Sequence, residues 1–375
     1  MHSICHIEKC SACSACINIC PLNAISMQED KDGFMYPAVD NTVCINCGKC
    51  TTVCPAENPY EKRNSIICYA ARNDNSEDLA KSSSGGIFYS LAKHYVETSG
   101  HVFGAAFDSK WEVQHVKASS IGELKALQGS KYIQSKIGNT FRETEELLKK
   151  GENVLFSGTS CQIAGLLHFL EKEYENLLTV EIICHGVPSG KVWRDYLSEN
   201  FSTDQIGNIS FRDKRKGWTN YMVCINDTNG ALLSGKKYTE NIFFKGFLKN
   251  LYLRPSCHNC EAKQGKSGSD IAIGDFWGIE NHTSDFADNK GVSAVICYTQ
   301  KGKEAIDKAK VIKQVFPYET LVERNSPIER SVKPHPKREI FFAEYSQPVS
   351  KRINDFTKVS FVQRVINKIK RIIKK

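Results

Sequence analysis

The 375-residue sequence predicts an α+β module in its first 58 residues, followed by an α/β domain with a mixed, mostly parallel sheet. In the first part, one cysteine run occurs twice. The apolar stretches 24–27 and 34–39 lie between the two copies and flank Asp32-Gly33, a typical hairpin turn. Beyond residue 66, strand-like apolar runs alternate with longer helical patterns, which is typical of α/β domains.

The duplicated run has the spacing Cys-x2-Cys-x2-Cys-x3-Cys-Pro, which is the signature of bacterial two-cluster ferredoxins. In such proteins the fourth cysteine of each run binds the other cluster. We therefore predict a ferredoxin-like module with two [4Fe-4S] clusters. Structural zinc is the alternative, but zinc ribbons use two separated Cys-x2-Cys pairs. The predicted ligands are Cys10, Cys13, Cys16 and Cys54 for cluster I, and Cys44, Cys47, Cys50 and Cys20 for cluster II.

In the second part, short apolar or β-branched runs predict strands, and apolar residues at three- and four-residue spacing predict helices. The predicted strands are 66–71, 101–107, 112–116, 154–157, 178–184, 270–275 and 292–299, and the predicted helices are 84–98, 140–150, 161–173, 190–200 and 303–310. Residues 206–212, 221–226 and 231–233 predict an antiparallel insert with its turn at 227–230.

Composition is that of an ordinary soluble globular protein, with a net charge of +8. Much of the excess lies in residues 358–375, which hold seven Lys or Arg and no acid, so a nucleic-acid-coating surface is disfavoured. We expect no signal peptide, no membrane crossing and a reducing cytoplasmic location, where thiolates stay available for metal.

Residues 361–375 form a basic amphipathic pattern. It suits a peripheral membrane anchor, a docking helix for a partner, or a terminal helix packed on its own domain.

Four further cysteines lie in polar surroundings. Cys161 follows one predicted strand and Cys184 ends the next, so a parallel sheet would bring both to one edge. With the Cys-x2-Cys pair Cys257 and Cys260 they could hold a third [4Fe-4S] cluster. A zinc or redox pair and two buried thiols are the alternatives. The other cysteines are predicted to be core residues (Cys68, Cys224 and Cys297) or are assigned no role (Cys5).

A serine- and glycine-rich stretch at residues 82–86 precedes a predicted helix and could hold a phosphate, although a plain helix cap explains it as well. Iron-sulfur clusters pass single electrons, so two-electron chemistry needs a converter, usually a flavin. The predicted cofactor-binding residues are Ser83, Ser84, Gly85, Gly86, Lys131, Tyr132, Asp275 and Trp277.

Several motifs in order resemble the coenzyme F420 hydrogenase/dehydrogenase beta-subunit family, most closely its bacterial members. They are residues 84–86, 129–135, 155–165, 183–189, 211–214 with 217–218, and 269–278. The resemblance runs from about Cys68 to beyond Tyr298 and implies an FAD-containing oxidoreductase with an additional cluster at Cys161, Cys184, Cys257 and Cys260. Where family members usually have proline before the first of these cysteines, this chain has Ser160.

The resulting division is a two-cluster module (1–58), a linker (59–66), the two parts of the family-like region (67–150 and 151–330) and a basic tail (331–375). We expect an oxidoreductase that passes electrons between the clusters and FAD to reduce or oxidise an organic acceptor or an F420-like coenzyme. Lys131 and His185 are the catalytic candidates. The partners would be an electron-transfer protein such as ferredoxin and a small molecule. The alternative is a non-catalytic electron-relay subunit that docks to a separate oxidoreductase.

Overall fold

The computed structural model describes residues 4–358. The amphipathic pattern at 361–375 lies outside the described residues. The strands are β1 (Ile25–Glu29), β2 (Met35–Val39), β3 (Ile67–Asn73), β4 (His101–Phe107), β5 (Val113–Ala118), β6 (Ser135–Lys136), β7 (Val154–Thr159), β8 (Leu177–Ile182), β9 (Ile206–Asp213), β10 (Met222–Asp227), β11 (Leu232–Lys237), β12 (Ile271–Asp275), β13 (Ser293–Cys297) and β14 (Val311–Val315).

The helices are α1 (Ala15–Ile19), α2 (Lys49–Thr52), α3 (Ser76–Lys81), α4 (Ile87–Glu97), α5 (Ile121–Leu127), α6 (Thr140–Lys149), α7 (Ser160–Leu170), α8 (Gly190–Asn200), α9 (Ile242–Leu248), α10 (Gln300–Lys308), α11 (Tyr318–Val322), α12 (Arg338–Ala343) and α13 (Val349–Thr357). Across residues 4–358, none of the helices combines the length and apolarity that a membrane crossing requires.

The α/β domain is built on a nine-stranded mixed sheet with the order β14-β3-β13-β12-β8-β7-β4-β5-β6 in the described part of the chain. Its centre, β4-β7-β8-β12, is parallel, so the carboxyl ends of β7, β8 and β12 meet at one edge. The predicted mixed sheet is confirmed, but a mostly parallel one is not, because β3, β5, β13 and β14 join their neighbours through antiparallel pairings. The five-residue link from β4 to β5 is too short for a parallel crossover.

The central strands are buried along most of their length because both faces of the sheet are covered. Every residue of β13 is buried, and so are all residues of β7 except the last. The predicted antiparallel insert is confirmed as the separate three-stranded sheet β11-β10-β9.

The first 58 residues pack directly on the α/β domain. β1 and β2 form the predicted antiparallel hairpin, with Ile25 opposite Val39, while a ferredoxin-like fold for the whole module stays a prediction. Cys13, Ala15 and Val53 are buried in the same hydrophobic cluster as Ile163 and Leu166 of α7. The module and the domain therefore share one core.

The hairpin tip lies against the start of α8. The backbone N–H of Gly190 donates to the Gly33 carbonyl (3.0 Å), and Ser189 Oγ donates to the Asp32 carbonyl (2.5 Å). Gly33 has φ +84°, and a Cβ added to it would lie 2.3 Å from Lys191 Cβ. Only glycine fits both this backbone conformation and this contact.

We expect Gly33→Ala to destabilise the protein more than Gly230→Ala. Both glycines have φ +84°, but a Cβ at Gly230 meets nothing within 4 Å. Both substitutions carry the left-handed backbone cost of roughly 1–2 kcal/mol, and overlap with α8 adds about 1–3 kcal/mol at Gly33 alone. Anaerobic chemical denaturation measures the difference, and equal losses of unfolding free energy would contradict the docking of the hairpin tip on α8.

Candidate functional site

A cavity of about 260 Å³ lies at the carboxyl ends of β7, β8 and β12, close to the lower end of the range for small-molecule sites (roughly 300–1,000 Å³). Its walls come from the loop between α3 and α4 and from the segment that follows α5. The sequence-predicted residues that line it are Ser83, Ser84, Gly86, Lys131, Tyr132, Cys161, Cys184, His185 and Asp275. Residues predicted separately between Ser83 and Asp275 therefore converge on one cleft.

The serine loop is held in place by Lys214, whose Nζ donates to the carbonyls of Leu79 (2.7 Å), Ser84 (2.9 Å) and Lys290 (2.7 Å). Burial lowers the pKa of Lys214 to about 8. The loop is also tied to the opposite wall, because the backbone N–H of Ser130 donates to Ser83 Oγ (2.7 Å). The loop is thus fixed before any ligand arrives.

The loop ends at the start of the 11-residue helix α4. Gly86 precedes the helix with φ +78°, and no side chain caps the helix amides. Gly86 and Ile87 both line the cavity. Uncapped amides at a helix N-terminus suit a phosphate group, and Ser83 and Ser84 line the same cavity.

Two predicted cofactor residues lie outside the cavity lining. Gly85 packs against the sheet: its N–H donates to Ser293 Oγ (3.0 Å), and an added Cβ would lie 2.3 Å from the Ala71 carbonyl oxygen. Trp277 stacks on Trp218, with ring centroids 4.8 Å apart and planes within 6°. Their surroundings indicate packing roles instead of cofactor contact.

Asp275 lines the cavity, but its carboxylate is fully engaged. Arg212 donates to both of its oxygens (2.7 and 2.8 Å), and Trp218 Nε1 donates to Oδ1 (2.7 Å). Arg212 is buried, and its guanidinium carbon lies 4.0 Å from the ring centroid of Tyr221. It also donates to the Tyr132 hydroxyl (3.1 Å). Asp275 and Arg212 form a buried ion pair that fixes the cavity floor.

Lys131 is the cation of the cavity wall. Its Nζ donates to the carbonyls of Ala126 (2.8 Å) and Gln128 (3.1 Å). Burial lowers the pKa of Lys131 to about 7, so both protonation states are populated near neutral pH. A bound anion would favour the charged form.

His115 is a cavity residue that the sequence interpretation missed. Its Nε2 lies 2.8 Å from the Ser157 carbonyl and must donate to it, so Nδ1 accepts from the Ser135 hydroxyl (2.6 Å). Burial lowers the pKa of His115 to about 4, so the ring is neutral at pH 7. A single histidine in the alternating strand β5 carries no sequence signal of this role.

The eight cysteines of the duplicated run surround two separate cavities. Cys10, Cys13, Cys16 and Cys54 line one, and Cys20, Cys44, Cys47 and Cys50 line the other. This is the predicted grouping into clusters I and II, and the role of these thiols as ligands stays a prediction. Within residues 4–358, no three His, Cys, Asp or Glu side chains converge on a single metal ion.

The four cysteines predicted to bind a third cluster (the third set) come together beside the main cavity. Cys161 and Cys260 lie close enough to Cys184 and Cys257 to raise the pKa values of those two thiols, so the four side chains are neighbours. Burial raises the pKa of Cys184 to about 12. Cys161 and Cys184 also line the cavity, and His185 next to them is held by a 2.7 Å hydrogen bond between its Nε2 and Asn250 Oδ1.

Two buried charged residues support this set and were not predicted. Glu181 on β8 accepts hydrogen bonds from Ser160 Oγ (2.5 Å) and Ser269 Oγ (3.1 Å), and burial raises its pKa. Lys263 Nζ donates to the carbonyls of Cys184 and Pro327, both at 2.6 Å. One acid within an apolar strand gives no recognisable pattern, so only the fold shows its position.

Helix α7 connects the third set with cluster I. It begins with a capping box of Thr159 and Gln162, which places Cys161 in its first turn. One turn further on, Gly165 lies against the module: an added Cβ would be 2.8 Å from Cys13 Cβ and 2.9 Å from Cys13 Sγ. A single helix therefore contacts Cys13, a predicted ligand of cluster I, at one turn and carries a third-set cysteine at the turn before.

The ion pair at the cavity floor can be tested with Asp275→Asn. Loss of the charge would leave the buried Arg212 guanidinium unpaired, so we expect the unfolding free energy to fall by about 3–5 kcal/mol. Asp213→Asn is the matched control, since its partner Arg215 is 44% exposed and such pairs contribute about 0–1 kcal/mol. Denaturation of both variants gives the values, and equal losses would refute the structural role of Asp275.

Comparisons with known proteins agree with this geometry. Residues 151–319 match the family model for the C terminus of the coenzyme F420 hydrogenase/dehydrogenase beta subunit, and residues 9–58 match the model for a 4Fe-4S dicluster domain. An uncharacterized protein of Methanocaldococcus jannaschii (MJ1349) is 23% identical over 199 residues, which cover 45% of this chain and 55% of that protein. The uncharacterized ferredoxin-like protein YdhY of Escherichia coli K12 is 42% identical over 50 residues, 13% of this chain and 23% of that protein. This chain thus spans about half of the first relative and a quarter of the second.

Among solved structures, a chain of the F420-reducing [NiFe] hydrogenase complex from Methanosarcina barkeri aligns with 83% of this chain and 94% of its own length, at 18% identity and a TM-score of 0.47. The two sequence models cover the duplicated cysteine run, the third cysteine set and the part of the cavity lining beyond residue 151. Residues 151–319 of the chain therefore form a C-terminal domain of the coenzyme F420 hydrogenase/dehydrogenase beta-subunit type, and a 4Fe-4S dicluster domain at residues 9–58 precedes it.

Proposed function

We propose that this protein is an iron-sulfur flavoprotein oxidoreductase that passes electrons between ferredoxin-type clusters and FAD, and so reduces or oxidises an organic acceptor or an F420-like coenzyme. The observation that carries the proposal is helix α7, which contacts Cys13 at Gly165 and presents Cys161 to the cavity. These two positions are four residues apart, a rise of roughly 6 Å along a helix. Such short separations favour electron transfer because tunnelling weakens steeply with distance.

The burial of the cysteines supports an order of the electron-transfer centres along this route. Cys47 of cluster II is exposed, whereas Cys10, Cys13, Cys16 and Cys54 are buried. Cluster II is therefore the one that an external protein such as a ferredoxin can approach. Electrons would pass from cluster II to cluster I, along α7 to the third set, and on to the cavity, or in the reverse order.

The cavity residues fit a flavin. The amides at the start of α4, together with Ser83 and Ser84, would hold a phosphate of FAD, and Lys131 would oppose negative charge on the bound cofactor. When bound, FAD supplies the exchange between single electrons and electron pairs. His115 and the Arg212–Asp275 pair keep the walls rigid, and Lys131, with a pKa of about 7, can hold or release a proton there.

A cavity of this kind favours an enzyme over an electron-relay subunit, because a relay needs no space for an organic molecule. Lys131 is the better catalytic candidate, because His185 is turned to Asn250 and adjoins a predicted cluster ligand. The proposed division of labour follows the predicted boundaries: residues 1–58 deliver electrons, and residues 67–330 hold the third cluster, the flavin and the acceptor.

The presence of the third cluster can be tested by measuring the iron content of the protein. Three [4Fe-4S] clusters give about twelve irons per chain, and Cys257→Ser should reduce this to about eight because one corner ligand is lost. Cys224→Ser is the control, since Cys224 is buried in β10 away from the cluster cavities. Iron analysis of anaerobically purified protein measures both. A wild-type value near eight would rule out the third cluster.

The route along α7 can be tested with Gly165→Ala. The added methyl would overlap Cys13 and push the module away, although alanine itself favours a helix over glycine by about 1 kcal/mol. We expect electron transfer from a reduced ferredoxin to the bound flavin to slow at least tenfold, while iron and flavin contents stay the same.

Gly122→Ala provides the control for this experiment, because Gly122 is also helical and its Cβ would meet nothing closer than 3.9 Å. Stopped-flow absorbance follows the bleaching of the flavin, and direct reduction by dithionite verifies that the flavin itself is intact. An unchanged rate in Gly165→Ala would contradict the route, and protein without flavin would contradict the proposed function.

A further inference from the structure

Cys5 is a fifth thiol at the cavity of cluster I. A turn reverses the chain after it: the backbone N–H groups of Lys9 and Cys10 donate to the His6 carbonyl (2.9 and 3.2 Å). This turn returns the chain to Cys5, so that Cys5 and Cys10 line the same cavity. The sequence assigned Cys5 no role because it lies outside the repeated spacing.

The side chain of Cys5 is held among the predicted ligands. It is within hydrogen-bonding reach of both Cys10 and Cys54 and packs in the small core that contains Cys16. Its neighbour Ile4 is 5% exposed and covers the same cavity. Cys5 is only partly exposed and lines the cavity together with the predicted ligands.

Four thiolates complete the coordination of a [4Fe-4S] cluster. The duplicated run already supplies four to cluster I, so a fifth cysteine is not needed as a ligand, and its S–H group can act as a hydrogen-bond donor. The ligand sulfurs are acceptors: backbone amides of Ala56 and Glu57 already donate to Cys54. Within the described residues, the cavity of cluster II is lined by its four predicted ligands and by no further cysteine.

We propose that Cys5 is a positioning residue for cluster I, whose thiol donates hydrogen bonds to the ligand sulfurs of Cys10 and Cys54 and thereby raises the reduction potential of that cluster. Hydrogen bonds to the sulfurs are among the features that set the potential of iron-sulfur clusters. A donor stabilises the reduced cluster more, because that state carries the additional negative charge.

The reduction potentials of the two clusters would then differ in the direction that favours electron transfer from cluster II to cluster I. Cluster I, which lies against α7, would attract electrons more strongly than cluster II at the surface. The inference deepens the proposed function, and it rests on that proposal only for the presence of the two ferredoxin-type clusters.

The experiment compares wild-type protein with Cys5→Ala and Cys5→Ser, each as the anaerobically purified, fully loaded chain. Alanine keeps the small volume and removes the donor, whereas serine keeps a donor of similar shape. Cys68→Ala is the matched control, because it also removes a buried thiol, from β3. Potentiometric titration followed by electron paramagnetic resonance gives the potential of each cluster, and iron analysis gives the occupancy.

In Cys5→Ala we expect the ratio of reduced to oxidised cluster I at a fixed potential to fall about tenfold, which is about 59 mV for a one-electron couple. Only one titration step should move, the iron content should be unchanged, and Cys5→Ser and Cys68→Ala should stay within twofold of wild type. These results would support the inference.

Three results would overturn it: no shift in Cys5→Ala, an equal shift in Cys5→Ser, or the loss of about four irons, which would make Cys5 a ligand. If Cys5→Ala cannot be loaded, Cys5→Val removes the donor and fills the space of the thiol, and identical deuterium couplings of reduced cluster I in D₂O for wild type and Cys5→Val would refute the hydrogen bond. Wild-type protein without iron would instead contradict the proposed function.

Discussion

Arg254 joins three parts of the chain at cluster I. Its guanidinium, 1% exposed, donates to the Cys10 carbonyl (3.0 Å), the Met35 carbonyl (2.8 Å) and Gln134 Oε1 (3.1 Å). Gln134 in turn lines the main cavity and donates to the Ser11 carbonyl (3.0 Å). A buried cation satisfied by main-chain carbonyls allows little movement, since each broken bond leaves an unpaired polar group. The cysteine loop, the hairpin and the cavity wall are therefore fixed relative to one another.

This constraint explains how a small domain and a large one can act as one body. Arg142 repeats the device on the other side of the module, where it donates to the carbonyls of Ile17, Asn18 and Cys20. Hydrogen bonds of this kind fix geometry without the flexibility of exposed ion pairs. Electron transfer benefits from such rigidity, because its rate depends on a distance that must not fluctuate.

Local patterns predicted much of the architecture. The hairpin and the helix at residues 190–200 were found with the same or nearly the same bounds, because turn residues and periodicity are local properties. The parallel centre of the sheet also followed from alternating strands and helices. The antiparallel outer strands did not, because β3 pairs with β13 and β14 from the far end of the chain. Nothing in the local sequence of β3 indicates these partners.

In the candidate site too, features that depend on local sequence were predicted and features that depend on distant segments were not. Cysteine spacing predicted two groups of thiols, strand-end positions and a Cys-x2-Cys pair predicted a third, and the structure brings the members of each group together. Asp275 looked available for a cofactor because the sequence could not show that Arg212, 63 residues away, neutralises it. His115 and Glu181 were missed because their roles depend on serines from distant segments. Gly165 was named only as part of a motif, and its contact with Cys13 is a property of the tertiary fold.

The shared core of the module and the domain links the stability of the whole protein to its iron supply. Cys13 is both a predicted ligand and a member of the hydrophobic cluster that includes α7, so the metal and the apolar packing depend on the same few residues. Metal binding that organises a site contributes directly to folding. A chain made during iron shortage would lack that contribution at the surface where its two parts meet. Its survival in the cell would then report on iron availability as well as on its own sequence.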